Sequence, residues 1–187
     1  MKYEVIDNFL DEEYFDSLVT LFGDNKKKED KVVPWFFQTA VANSLVVDNL
    51  FYMTHMLYED NAPRTESGAT YSYYNYIIPL LEKLEVKCVI RVKANLYPHT
   101  ETIHEHPMHV DMNYSHSGAI LSLNTCDGYT KLKDGTKIDS IANRILLFDP
   151  SEEHCSSTTT NDFARFNINI NYIQELFHEL VPECNLY

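Results

Sequence analysis

A chain of 187 residues with 44% apolar and 13% aromatic content can close one sizeable core and is short for two. Its net charge of −13 lacks the basic footprint that phosphate contact needs, which argues against a nucleic-acid partner. No apolar run approaches the ~20 residues of a membrane span, and Met1-Lys2-Tyr3-Glu4 carries no signal-peptide pattern. We therefore expect a cytoplasmic protein, not a membrane one. Its cysteines (Cys88, Cys126, Cys155 and Cys184), widely spaced and without a CxxC pair, should be reduced and mostly buried.

The first half reads as helices with one strand. Val5 to Leu10 is a short apolar lead-in. Asp11 then stands as an N-cap before Glu12 and Glu13, with Tyr14, Leu18, Leu21 and Phe22 at helical spacing and Gly23 at the end. Val32 to Thr39 is extended and aromatic, and Pro34 suits an edge strand. Leu45 to Leu57 reads as a short strand leading into a helix. Asn61 to Gly68 is a loop, and a helix follows near Ile78 to Leu84 with Pro79 in its first turn.

From Cys88 the hydrophobic period changes to two. Ile90, Val92, Ala94 and Leu96 face one way, and Arg91, Lys93, Asn95 and Tyr97 the other. Further strands are predicted at Met108–Met112, Ala119–Asn124, Gly128–Leu132, Thr136–Asp139, Arg144–Phe148, His154–Thr159 and Phe163–Tyr172, with Asp134-Gly135 as a hairpin turn. Many short strands bounded by turn signals point to an α+β, mostly β chain folded as a jelly-roll barrel, with the helices packed on one sheet. The expected organisation is a single domain over 1–187, with a helix-rich part at 1–86 and a barrel core at 87–173.

The chemistry centres on His109-Val110-Asp111 and His154. His109 and Asp111 stand at i and i+2 of an extended segment, so both side chains leave one face. Two imidazoles and one carboxylate form the facial triad that holds Fe(II) in non-heme oxygenases and leaves open positions on the metal. Arg165 lies on the strand Ala164 to Ile170, on the face opposite Phe166, Ile168 and Ile170. A cation pointing into a barrel needs a partner, and no acid adjoins it on the strand; a ligand carboxylate would satisfy its planar fork, and a salt bridge to an acid elsewhere is the competing reading.

Asn95-Leu96-Tyr97, His109-Val110-Asp111, Leu123-Asn124, Leu147-Phe148-Asp149, His154 and Arg165 together resemble the iron(II)- and 2-oxoglutarate-dependent dioxygenases, especially the prolyl-hydroxylase-like branch. Gly128-Tyr129-Thr130 and Asp134-Gly135 add a likeness to small viral or marine microbial oxygenases. The resemblance covers Asn95 to Tyr172 and implies a double-stranded β-helix. It implies that His109, Asp111 and His154 bind Fe(II) and carry catalysis. It implies that Arg165, helped by Tyr97, binds the far carboxylate of 2-oxoglutarate, with ascorbate as reductant and a peptidyl (prolyl) or small-molecule substrate. Many relatives have Ser two residues after the Arg, where this chain has Asn167; Asn167 either supports the same carboxylate or packs. Tyr97 stands further before His109 than the pattern expects, and Asn95 on the same face is the competing donor.

Other readings stand beside this one. A cupin-like metalloenzyme or a metal-binding module would not need Arg165. His104 and His106 could join His109 in a zinc site, whereas His99, His104, His106 and His116 could equally touch substrate or solvent. Cys155 adjoins His154 but alternation turns it away. His55 and His178 read as ordinary surface or core residues. The loops Gly23 to Lys31 and Glu59 to Gly68 are candidates for substrate contact.

Overall fold

The computed structural model describes residues 2–23, 33–40, 50–65 and 69–174. Helix α1 (Glu12–Phe22) begins where the Asp11 carboxylate accepts the Tyr14 N–H at 2.9 Å, with Glu12 and Glu13 at the positive end of the helix dipole. It buries Phe15, Leu18, Leu21 and Phe22. Each such side chain taken out of water contributes about 2 kcal/mol. The expected helix near Ile78 is the end of a longer one. It starts at α2 (Ala69–Ser72), passes through a π-helical turn (Tyr73–Ile77) and finishes as α3 (Ile78–Lys83).

The remaining elements are strands. In the first half these are β1 (Tyr3–Ile6), β2 (Phe36–Gln38), β3 (Tyr52–Glu59) and β4 (Ala62–Pro63). In the second half they are β5 (Cys88–Pro98), β6 (Ser117–Ser122), β7 (Tyr129–Leu132), β8 (Lys137–Asp139), β9 (Ile145–Phe148), β10 (His154–Ser156) and β11 (Ala164–Ile173). Eight of them form one sheet in the order β1-β9-β6-β11-β5-β3-β2, with β4 paired to β3; β10, β7 and β8 form a second sheet of three. Among the described residues all the strand pairings are antiparallel.

Three expectations need correction. The first half supplies four strands, not one, and all four belong to the large sheet. Leu57 lies inside strand β3, which runs on to Glu59, rather than in a helix; positions 41–49 lie outside the described residues. Met108–Met112 is not a strand. Only His109 forms a bridge there, to His154, because the segment leaves the ladder on both sides and Asp111 gives its N–H to the Pro150 carbonyl at 2.9 Å.

The large sheet separates two interiors. On one face Ala119, Leu121, Phe166, Ile168 and Ile170 pack with Leu18, Phe22, Ile77 and Leu80 of the helices. On the other face Ile120, Leu146 and Phe148 meet Leu132 and Ile138 of the small sheet. Strand β11 shows the consequence of being covered on both sides. Arg165, Asn167, Asn169 and Asn171 are as buried as their apolar neighbours. Polar groups at that depth need hydrogen bonds, and the site is built from them.

Candidate metal site and co-substrate cleft

β5 and β11 run antiparallel with Arg165 opposite Tyr97, Asn167 opposite Asn95 and Asn169 opposite Lys93. Alternation therefore gathers the polar residues of both strands on the face turned toward β7 and β10. His154 enters at the start of β10. Its backbone exchanges two hydrogen bonds with His109, each of 2.9 Å. That single bridge brings the His109–Asp111 segment to the sheet. His109, Asp111 and His154 then each offer a ligand atom, and these atoms all lie within 4.8 Å of one another.

The backbone also sets the tautomers. His109 Nδ1 faces the Pro107 carbonyl at 3.1 Å and His154 Nδ1 faces the Glu152 carbonyl at 3.0 Å. A carbonyl only accepts, so each Nδ1 carries the proton and each Nε2 keeps its lone pair for a metal. Burial pushes His109 down to about 4, reinforced by the neighbouring His154, and burial lowers His154 as well. Burial by itself would raise Asp111, but Arg91 and Lys93 outweigh it and hold the carboxyl well below the usual range. All three groups are thus in ligand-competent form near neutral pH.

Asp111 is held from two sides. Arg91 Nη2 donates to Oδ1 at 2.7 Å, and Asn169 Nδ2 donates to Oδ2 at 3.3 Å. Because a carboxylate only accepts, the amide directions behind it follow. Asn171 Nδ2 donates to Asn169 Oδ1 at 3.3 Å, and His116 Nε2 faces Asn171 Oδ1 at 3.0 Å.

Arg165 is 1% exposed and lies over the Tyr97 ring, its guanidinium carbon 5.5 Å from the centroid. It donates to the Tyr129 carbonyl and to Thr130 Oγ1, both at 2.8 Å. Among the described residues no carboxylate pairs with it, so the competing salt bridge is not formed. Its Nε is buried without a partner, as is Asn95 Oδ1. Asn95 gives its amide to Asn167 Oδ1 at 2.8 Å. A narrow cleft of ≈ 20 Å³ is lined by Asn95, Tyr97, His109, Thr130, His154, Ser156 and Asn167 among others; Arg165 does not line it directly but bonds Thr130 and lies over Tyr97, which do. Gly128 makes room for the Arg165 stem: a Cβ there would lie 2.8 Å from Arg165 Cδ.

The His-rich zinc alternative finds no support in the geometry. Among the described residues the cluster that could hold a metal is His109, Asp111 and His154. His104 Nε2 faces Thr102 Oγ1, and His106 packs its ring 5.5 Å from Tyr97. Cys155 is buried and outside the cluster; Cys126 is also buried, whereas Cys88 is exposed. His55 is a core residue, its Nδ1 on the Pro34 carbonyl. His178, Cys184 and positions 24–31 lie outside the described residues. The sequence reading did not single out Arg91, Lys93, Asn169 or Thr130. The alternation of β5 and β11 was the available signal, since it put Arg91, Lys93 and Asn169 on the face of Tyr97 and Arg165.

No protein-family model matches the chain, and no curated protein matches it in sequence. Solved structures do match in fold. An oxidoreductase of the 2OG-Fe(II) oxygenase family from Burkholderia pseudomallei aligns with a TM-score of 0.63 at 11% identity, covering 92% of this chain and 85% of its own. The fold is thus that of the 2OG-Fe(II) oxygenases. The likeness extends to prolyl hydroxylases, including a viral collagen prolyl hydroxylase from Paramecium Bursaria Chlorella virus-1 (TM-score 0.53, 14% identity, 91% of this chain and 95% of the other). A Trichoplax adhaerens prolyl hydroxylase, solved in complex with a hypoxia inducible factor peptide fragment, aligns with a TM-score of 0.59 at 15% identity over 92% of this chain and 83% of its own. Among the described residues no helix is long and apolar enough to cross a membrane.

Proposed function

We propose that this protein is an Fe(II)- and 2-oxoglutarate-dependent dioxygenase that hydroxylates a peptidyl substrate, prolyl in the leading case, or a small molecule. The observation that carries the reading is the meeting of two imidazoles and one carboxylate whose ligand atoms lie within 4.8 Å of one another. Three ligands, rather than the four of a closed structural site, leave room for chemistry. In this reading the two sheets are the halves of a double-stranded β-helix, and the chain is one domain whose helices cover the larger half.

His109, Asp111 and His154 would hold Fe(II). The Nδ1–H bonds to Pro107 and Glu152 fix the ring orientations, and Arg91 and Asn169 fix the carboxylate. Arg165 keeps its Nε and further Nη protons for the far carboxylate of 2-oxoglutarate, with Tyr97, Asn95 and Asn167 around it. Bound Fe(II) and 2-oxoglutarate would supply the oxidising chemistry, in which the co-substrate and O2 give succinate and CO2 as a hydroxyl replaces one substrate C–H. The protein positions both partners and keeps water out, with the Phe148 ring edge-on to His154 at 5.0 Å.

The fold likeness to a prolyl hydroxylase solved with a peptide supports the peptidyl reading. The test is consumption of 2-oxoglutarate in the presence of Fe(II) and ascorbate, with mass spectrometry of a proline-containing peptide library. A gain of one oxygen on proline is the expected result. Turnover on a small molecule with every proline peptide untouched keeps the dioxygenase and discards the prolyl substrate. Metal binding with indifference to 2-oxoglutarate points instead to a cupin-like metalloenzyme or a metal-binding module.

A further inference from the structure

A second, larger cavity of ≈ 470 Å³ opens beside the triad. Its walls include Gln38, Tyr52, Thr54, Glu59, Arg91, Lys93 and Asp111. Lys93 also lines the narrow co-substrate cleft, so the two spaces meet at this side chain. A cavity of this size matches a whole small ligand or one residue of a peptide.

Lys93 stands out on the cavity wall. It sits mid-strand in β5, between β3 and β11, on the polar face. Among the described residues it makes no hydrogen bond and no ion pair; its Nζ lies 6.0 Å from the Tyr52 ring centroid. Arg91 beside it spends Nη2 on Asp111, and its Nε is buried without a partner. On the cavity wall this ammonium, drawn toward Asp111 and Glu59 but bonded to neither, has room for a ligand anion.

The charge balance gives the kind of anion. Arg91, Lys93 and Arg165 stand against one carboxylate, Asp111, while Glu59 at the cavity rim lies 4.0 Å from Arg64. A divalent metal and a dianionic co-substrate cancel one another and leave this balance unchanged. The remaining excess is positive, which fits an anionic group on the ligand. A carboxylate supplies that charge with oxygens that can reach Lys93 Nζ.

We propose that this cavity receives the substrate and that Lys93 binds a carboxylate on it, so that the hydroxylated carbon lies near a carboxylate-bearing group; this rests on the oxygenase reading above. The carboxylate belongs either to a free small acid, such as an amino acid, or to an acidic side chain of a peptide.

The experiment is thermal-shift titration of the full chain with Mn(II) and saturating 2-oxoglutarate present, so that the co-substrate site is filled. One arm compares free L-amino acids with their carboxamides. The other compares acetylated dipeptide amides ending in Glu with the same peptides ending in Gln. In one arm an acid is expected to bind at least about tenfold more tightly than its neutral partner. The arm that responds identifies the source of the carboxylate. Lys93→Met is expected to erase the preference, and Lys93→Arg to keep it; Lys93→Gln replaces the methionine variant if that one does not fold. Equal binding of acids and neutral partners in both arms, no binding of either, or a preference that survives loss of the Lys93 charge overturns the proposal. The oxygenase reading fails separately: wild-type protein would then consume no 2-oxoglutarate with any compound, while an acid preference lost in Lys93→Met would still stand.

Discussion

Arg91 Nη2 lies 2.7 Å from Asp111 Oδ1, and the two side chains are only 16% and 3% exposed. The carboxylate proposed as a metal ligand is thus already neutralised by the protein. Removing one member of a buried pair strands the other, at a cost of about 3 kcal/mol. Arg91→Met is expected to lower the unfolding temperature of metal-free protein. A bound cation at Asp111 restores part of the lost charge, so added Mn(II) should stabilise Arg91→Met more than wild type. Calorimetric scans with and without metal check this; equal metal-induced shifts in the two proteins would show that Arg91 does not govern the Asp111 charge.

The triad assignment has a direct test in anaerobic Fe(II) titration. Wild type is expected to bind one Fe(II) per chain. Asp111→Ala and His154→Ala should each weaken binding by at least about tenfold, the loss typical of disturbing a metal site. Undiminished affinity in both variants would remove the site.

Arg165 is expected to set 2-oxoglutarate affinity. Loss of a bidentate, charge-assisted contact costs about 2–4 kcal/mol, or roughly 30- to 1000-fold in affinity. The side chain is fully buried and bonded to Tyr129 and Thr130, so Arg165→Lys accompanies Arg165→Ala to separate binding from folding. Both should raise the apparent co-substrate constant, with Fe(II) binding nearly intact in the variant that folds. Wild-type 2-oxoglutarate use in either would make the guanidinium structural.

Glu105 ties the segment that leads to His109 onto the small sheet through Lys131 Nζ at 2.7 Å and Tyr129 Oη at 2.7 Å. The Lys131 and Tyr129 hydrogen bonds pull Glu105 down to about 2. A carboxyl depressed in the folded state adds stability that is complete above its unfolded pKa, near 4.5, and is lost as pH falls toward 2. The group is close to the surface, so screening limits the effect to less than about 1 kcal/mol. Urea unfolding of wild type and Glu105→Gln should therefore differ at pH 7, approach one another as pH falls below 4.5, and converge at about pH 2. A constant difference across that window would assign the effect to packing rather than charge.

Periodicity alone located most of the β-rich half. The alternation from Cys88 to Tyr97 and from Ala164 to Ile170 set the strands and their faces, because a strand turns successive side chains to opposite sides whatever it pairs with. Residue type and spacing named His109, Asp111, His154 and Arg165 as candidates, and the structure brings the first three together. Periodicity could not show that Met108–Met112 would leave the ladder, because strand formation there depends on a partner and the structure offers only the single His154 bridge. Nor could it place the first-half strands in the large sheet, where long-range pairing rather than local pattern decides. Above all, Arg91 and Lys93 read in sequence as two polar residues on a strand face. Only the tertiary structure shows one clasping Asp111 and the other unpaired in a cavity, because burial and partner distance arise when β3, β5 and β11 are assembled against the loop of Asp111.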